Sequence, residues 1–339
     1  MFKPKHVYIE KEALDYTLGK ELKKQFEDMQ IPVDILESNR VNFLRGKSVQ
    51  EKYEIGKRVL VIGVRRTLEF QSCKPSAHYQ LPLVTGCIGK CEYCYLNTNL
   101  KDKPFTRIYV NLDDILKKAK RYTQTGKFKP TIFEGSATSD PVPVEPYTHA
   151  LAKSIEFFAK DPNTRFRFVT KFTDIDDLLH LKHNGHTEMR FSINTDTVIE
   201  SFEHGTPRAK QRIEAARKAI KAGYPVGFLI APVFIYPNWK EDYLMLNKML
   251  KDFLPNEESQ HPITFEIISH RFTTTAKNHI LQVFEESQLP MNEAERTYKY
   301  GQFGYGKYVY PKEVIAEIKE LFEFGLKHLP FPYEIKYII

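Results

Sequence analysis

Between residues 81 and 269, short runs rich in β-branched and aromatic residues alternate with amphipathic stretches long enough for helices. That alternation leaves a chain few options. A strand followed by a helix returns to pair in parallel, so repeats of the unit build a parallel sheet with helices packed outside it. The expected strands are residues 81–85, 107–110, 130–134, 165–170, 188–193, 225–232 and 263–269. Helices fit the gaps, including 112–123, capped by Asn111, and 148–159. Six or seven such units in about 200 residues are too few for a closed eight-stranded barrel. The expected fold is therefore α/β: a partial, open (β/α)6-type barrel with functional groups at the C-terminal ends of its strands.

The flanks differ from this middle. Residues 12–30 suggest a helix interrupted by Gly19, followed by strands at 31–36 and 58–64 with a polar segment between them. Beyond residue 290, Tyr298, Tyr300, Phe303, Tyr305, Tyr308 and Tyr310 are interleaved with Gly301, Gly304 and Gly306, which suggests a β-hairpin with a glycine-rich tip. A helix at 312–328 and a strand at 333–339 are expected to close the chain. The predicted organisation is an N-terminal α/β region over 1–76, the partial barrel over 77–290, and the C-terminal hairpin with its closing helix and strand over 291–339. No run of 18 apolar residues and no apolar leader occurs, so no membrane partner is expected and the cytoplasm is the expected compartment. A net charge of +7 permits a nucleic-acid partner without requiring one.

Four cysteines in such a chain argue against a disulfide framework, and three of them, Cys87, Cys91 and Cys94, lie within eight residues. Their C-x-x-x-C-x-x-C spacing suits three ligands of a four-iron four-sulfur (4Fe-4S) cluster, leaving one iron open to a further ligand. Gly86 and Gly89 allow the tight turns of a wrapping loop. The alternatives are a zinc site, which normally needs four Cys or His ligands, and three unliganded core cysteines. With Tyr93 before the third cysteine, the loop resembles that of radical S-adenosyl-L-methionine (SAM) enzymes, which implies a 4Fe-4S cluster and SAM as cofactors.

The resemblance narrows further. Residues 72–98, SCKPSAHYQLPLVTGCIGKCEYCYLNT, are similar to the corresponding stretch of spore photoproduct lyases, as are RIYVNLDD at 107–114, RFVTKF at 167–172, RFSIN at 190–194 and TFEIISHRFT at 264–273. Membership implies repair of spore photoproduct, two adjacent thymines of DNA joined through a methylene bridge, during spore germination. A 5′-deoxyadenosyl radical made from SAM would take hydrogen from the lesion, and the thymine allyl radical left by bridge scission would need one hydrogen atom back. The resemblance implies that Ser139, Asp140, Lys171, Ser192 and Ala231 hold SAM. Read without it, Ser139 is equally a helix cap, Ser192 a strand-end hydroxyl and Lys171 a solvated charge.

Here the chain departs from better-known members. Ala137 stands where they carry the cysteine that supplies the final hydrogen atom, and alanine has no comparably weak bond to give. Cys73, in place of the usual serine, is the candidate donor; otherwise it is a small packed residue. Either the thiol has moved to position 73 in a natural variant, or Ala137 is an engineered substitution that disables the donor. Tyr95, with Tyr93, matches tyrosines proposed to relay hydrogen, or else packs around the cluster. Lys299, Tyr300, Gln302, Phe303 and Lys307 on the hairpin, with Arg271, are candidate DNA contacts, with Arg65, Arg66 and His270 as further basic candidates. The hairpin aromatics could instead pack on the barrel, and Arg271 could be an internal ion-pair partner. The implied partners are DNA containing the lesion and an electron donor such as a flavodoxin or ferredoxin, with the protein a monomer. Competing readings are a radical SAM enzyme acting on RNA or a small molecule, and a non-enzymatic metal-stabilised nucleic-acid-binding protein.

Overall fold

Runs such as TEMRFSI and ITFEIIS bury six of their seven side chains, as strands covered on both faces must. In this computed structural model, which describes residues 2–135, 137–254, 260–300 and 306–339, they belong to parallel ladders. The described residues fall into two compact units, Met1–Gly89 with Asn99–Glu188, and Lys90–Thr98 with Met189–Ile339.

In the first unit a five-stranded sheet has the order Val33–Leu36, His6–Glu10, Val59–Gly63, Thr106–Tyr109, Val84–Thr85. Its first four strands are parallel and the last is antiparallel. The same unit holds the parallel strands Thr164–Thr170, Thr131–Glu134 and Ala77–Gln80, with Ser72–Cys73 antiparallel at the edge. In the second unit Thr187–Ile193, Val226–Val233, Ile263–Ser269 and Tyr333–Ile338 are parallel neighbours. Each unit thus carries parallel strands with helices between them, the alternation expected of an α/β half-barrel. Among the described residues no helix is long and apolar enough to cross a membrane.

Several local expectations are corrected. The first helix is a 3-10 turn, Lys11–Asp15, and then an α-helix, Thr17–Asp28. Gly19 lies inside that helix, because a Cβ there would sit 1.8 Å from the Ala13 carbonyl oxygen; the glycine permits close packing and does not break the helix. The polar segment before the third strand contains the helix Val49–Gly56, started by a capping box between Ser48 and Glu51. The strand expected at 81–85 is formed only at Val84–Thr85, and a strand that was not expected, Ala77–Gln80, precedes it in a different sheet. The helix expected at 148–159 is broken at His149, whose φ is 48°. Asn111 does not cap Leu112–Gln124 through its side chain. Its carboxamide instead pairs with the backbone of Arg65, accepting from N–H at 2.8 Å and donating to C=O at 3.0 Å.

Candidate functional site

The cysteine loop leaves the strand Val84–Thr85 through Gly86, which has φ +81° and whose absent Cβ would lie 2.3 Å from the Phe105 carbonyl oxygen. No L side chain fits that turn without strain. Gly86 N–H donates to Thr138 C=O at 2.9 Å and Gly86 bridges Ser139, so the start of the loop is tied to the 137–140 turn. Lys57 Nζ donates to the carbonyls of Cys87 at 2.7 Å and Gly89 at 2.8 Å. Gly89 N–H points at Cys87 Sγ, 3.3 Å away, as backbone donors do around a thiolate.

The chain passes into the second unit between Gly89 and Lys90. Lys90–Cys91 pairs antiparallel with Glu203–His204, and Asn97 Nδ2 donates to the carbonyls of Cys91 and Glu92, each at 3.1 Å. Glu92 accepts from Ser287 Oγ at 2.5 Å and lies 2.7 Å from His204 Nε2. Tyr93 donates its hydroxyl to Glu203, whose other oxygen meets Arg212 Nη2 at 2.7 Å. Burial and the neighbouring Glu203 carboxylate hold the Tyr93 phenol well above its ordinary range. Tyr95, opening the helix Tyr95–Leu100, is 54% exposed. None of the four cysteines is in a disulfide; Cys91 is buried and Cys73, Cys87 and Cys94 are partly so. Among the described residues no three His, Cys, Asp or Glu side chains gather closely enough to hold a single metal ion.

The residues assigned to SAM follow strand ends. Asp140 accepts from Lys171 N–H and Thr170 Oγ1, each at 2.8 Å, and from Val142 N–H at 3.3 Å, so three loop groups are organised around one carboxylate. Burial raises its pKa to about 6 against those hydrogen bonds. Ser139 Oγ is buried and has no hydrogen-bond partner among the described residues, and Ser139 caps no helix. An orphaned buried hydroxyl beside a cysteine loop is what a polar ligand would satisfy. Gly135 packs against Phe166, where a Cβ would meet the ring at 2.7 Å. In the second unit Ser192 pairs with Leu229, and Ala231 follows two residues later on the same strand. Arg212 Nη1 donates to Ser192 C=O at 2.9 Å.

The hairpin strands Thr297–Tyr300 and Gly306–Val309 place Lys299 directly opposite Lys307. Like charges in that register destabilise a hairpin, so their pairing favours an anionic partner. Burial, Arg271 and Lys299 together depress the Lys307 pKa. Tyr308 exchanges backbone hydrogen bonds with Phe272, which fixes one strand of the hairpin, whereas Tyr298 and Tyr300 are exposed. Gln302 and Phe303 lie outside the described residues. His270 is not an exposed cation: it is buried, its pKa pushed down to about 3 by burial and Arg296. Arg66 is occupied by Glu10 at 3.0 Å and Glu12 at 2.7 Å.

The spore photoproduct lyase family model matches residues 2–339. The chain belongs to the spore photoproduct lyase family. It is 51% identical over 335 residues to the spore photoproduct lyase of Clostridium acetobutylicum, covering 99% of this chain and 98% of that one. To the Bacillus subtilis lyase it is 46% identical over 323 residues, 95% and 94% of the two chains. Among solved structures, a spore photoproduct lyase double mutant (cysteine to alanine, serine to cysteine) with bound AdoMet and dinucleoside spore photoproduct superposes with a TM-score of 0.95 at 44% identity, covering 100% of this chain and 99% of that one. A spore photoproduct lyase complexed with the dinucleoside alone gives 0.94 at 43%, covering 99% of each.

The residues present fit the family's cofactors in donor chemistry: three cysteines on one loop, an N–H aimed at a thiol sulfur, and an orphaned hydroxyl on the adjoining turn. The motif located the three cysteines, and family similarity located the strand-end residues. Both missed Lys57, Glu203 and Arg212, which hold the loop from distant parts of the sequence. No short motif contains them.

Proposed function

We propose that this chain repairs spore photoproduct (5-thyminyl-5,6-dihydrothymine) in DNA, restoring two thymines. The observation that carries this reading is the family match over residues 2–339, joined to a TM-score of 0.95 with a family structure holding both AdoMet and the dinucleoside lesion. The cofactors are a 4Fe-4S cluster and SAM, which when bound supply a carbon-centred radical able to take hydrogen from the lesion.

In this reading Cys87, Cys91 and Cys94 ligate the cluster, and Ser139, Asp140, Lys171, Ser192 and the Ala231 region hold SAM. Ser139 offers its orphaned hydroxyl, and Asp140 acts by fixing the Lys171 backbone. Lys171 supplies a cation suited to the SAM carboxylate. Cys73 is the hydrogen-atom donor: its S–H bond breaks, a C–H bond forms on the opened thymine, and the sulfur is left as a thiyl radical. Support comes from the serine-to-cysteine, cysteine-to-alanine double mutant above, because this chain combines Cys73 with Ala137. Tyr95 and Tyr93 would relay a hydrogen atom to the thiyl radical, a phenol O–H bond breaking as S–H reforms, and the tyrosyl radical left would take a hydrogen atom from a C–H bond of 5′-deoxyadenosine. Tyr93 is bonded to Glu203, so its first contribution is to fix the loop beside Cys94.

Lys299, Tyr300, Gln302, Phe303, Lys307 and Arg271 form the DNA-facing group. Lys299 and Lys307 meet phosphate, and Tyr300, 81% exposed, supplies a stacking face. The protein works as a cytoplasmic monomer reduced by a flavodoxin or ferredoxin. Anaerobic turnover of dinucleotide spore photoproduct with reductant and SAM tests the function. Formation of thymine dinucleotide is expected, and 5′-deoxyadenosine release indifferent to the lesion would overturn the substrate assignment.

A further inference from the structure

Among the described residues Lys57 is the one buried lysine, with 8% of its surface exposed. It ends the helix Val49–Gly56, which lies far from the cysteine loop in sequence. Glycine at position 56 permits the close approach of that helix end to Pro104, where a Cβ would meet Cγ at 2.8 Å. From there the side chain passes within 5.0 Å of the Tyr53 ring centroid and donates to Cys87 C=O and Gly89 C=O.

An ammonium group taken out of water costs several kcal/mol unless opposite charge compensates it. Two carbonyls satisfy its hydrogen bonds but carry no net charge, and among the described residues no carboxylate pairs with Lys57. The compensating charge is supplied by the ligand set. Three thiolates around a 4Fe-4S cluster give it a net negative charge, which becomes one unit more negative on reduction. A fixed cation at the first ligand therefore favours the reduced form over the oxidised one.

We propose that Lys57 is a positioning residue of the cluster loop whose positive charge raises the reduction potential of the bound cluster. The proposal rests on the reading in which Cys87, Cys91 and Cys94 hold that cluster. It assigns to the N-terminal region a part in radical initiation: making the electron that cleaves SAM easier to load. The two hydrogen bonds fix the Cys87–Gly89 turn, while the charge acts on the redox equilibrium.

The test is potentiometric titration, followed by electron paramagnetic resonance, of anaerobically reconstituted wild-type protein, Lys57→Gln and Lys57→Arg. Gln keeps donors without charge and Arg keeps charge. The Gln variant is expected to hold wild-type iron and sulfide yet to disfavour the reduced cluster on the order of tenfold, a midpoint about 59 mV more negative, with Arg near wild type. An unchanged midpoint in Gln, or an equal fall in Arg, overturns the charge assignment. Should Gln load no iron, Lys57→Met replaces it. Failure of both neutral variants to load, with normal loading of Arg, upholds the need for charge, and failure of all three overturns it in favour of packing. Wild-type protein without a four-iron cluster would instead remove the underlying reading.

Discussion

Arg212 and Glu203 form an ion pair in which neither side chain reaches solvent, with arginine Nη2 2.7 Å from glutamate Oε2. The guanidinium also donates to Ser192 C=O at 2.9 Å, Pro207 C=O at 2.9 Å and Thr206 Oγ1 at 2.8 Å. Glu203 in turn accepts from Tyr93. One chain of hydrogen bonds thus joins the residue before Cys94 to the backbone of a strand-end SAM candidate. Removing one partner leaves the other charged and buried, so Arg212→Met is expected to lose about 3–5 kcal/mol of stability. Denaturant unfolding of the apoprotein measures it, and a loss below about 1 kcal/mol would contradict a structural role for the pair.

Ser139 separates binding from folding. Its hydroxyl has no partner to lose among the described residues, so Ser139→Ala should leave apoprotein stability within about 0.5 kcal/mol of wild type. SAM affinity of the reconstituted protein should fall roughly tenfold, as expected for a lost hydrogen bond to a charged ligand. Equilibrium binding checks it. Unchanged affinity would take Ser139 out of the SAM site.

Cys73→Ala should spare SAM cleavage and lesion opening while the allyl radical is diverted into unrepaired adducts. Product analysis by chromatography and mass spectrometry distinguishes the two fates. An undiminished yield of repaired thymines would show that another group donates the hydrogen atom.

His270 makes the fold acid-labile. Its folded pKa is about 3 and its ordinary value about 6.5, so below pH 6.5 the unfolded chain takes up a proton that the folded chain refuses. The stability it contributes is complete above pH 6.5 and declines as pH falls toward 3. Between pH 7.5 and 5.0 wild type should lose about 2 kcal/mol more than His270→Phe, which keeps the ring packing against Phe234. Denaturant melts at the two pH values provide the comparison, and equal losses would mean that the ring is already protonated in the fold.

The alternation of strands and helices was readable because each element's period is local: ITFEIIS carries its own burial pattern, and its bounds match the expectation at 263–269. The capping box of Ser48 and Glu51 spans only four residues and is equally local, yet the stretch reads as a polar segment and its helix is missed. The cysteine loop was readable because its three thiols lie within eight residues, a spacing visible without any tertiary contact. The strand expected at 81–85 failed for the opposite reason. Its run LPLVT gives no local sign of where pairing stops, and only the partners decide it: Tyr79 and Gln80 pair with Phe133 and Glu134, whereas Val84 and Thr85 pair with Ile108 and Arg107.

By itself, the sequence pointed to the half-barrel through periodicity, to the three-cysteine loop through short spacing, and to the family through the likeness of whole blocks to known members. Tertiary structure alone decided that Asn111 braces Arg65 rather than capping a helix, that His270 is buried and neutral, and that Lys57, Glu203 and Arg212 hold the cysteine loop. Those roles depend on desolvation and on partners up to more than a hundred residues apart, and both quantities exist only once the chain has closed on itself.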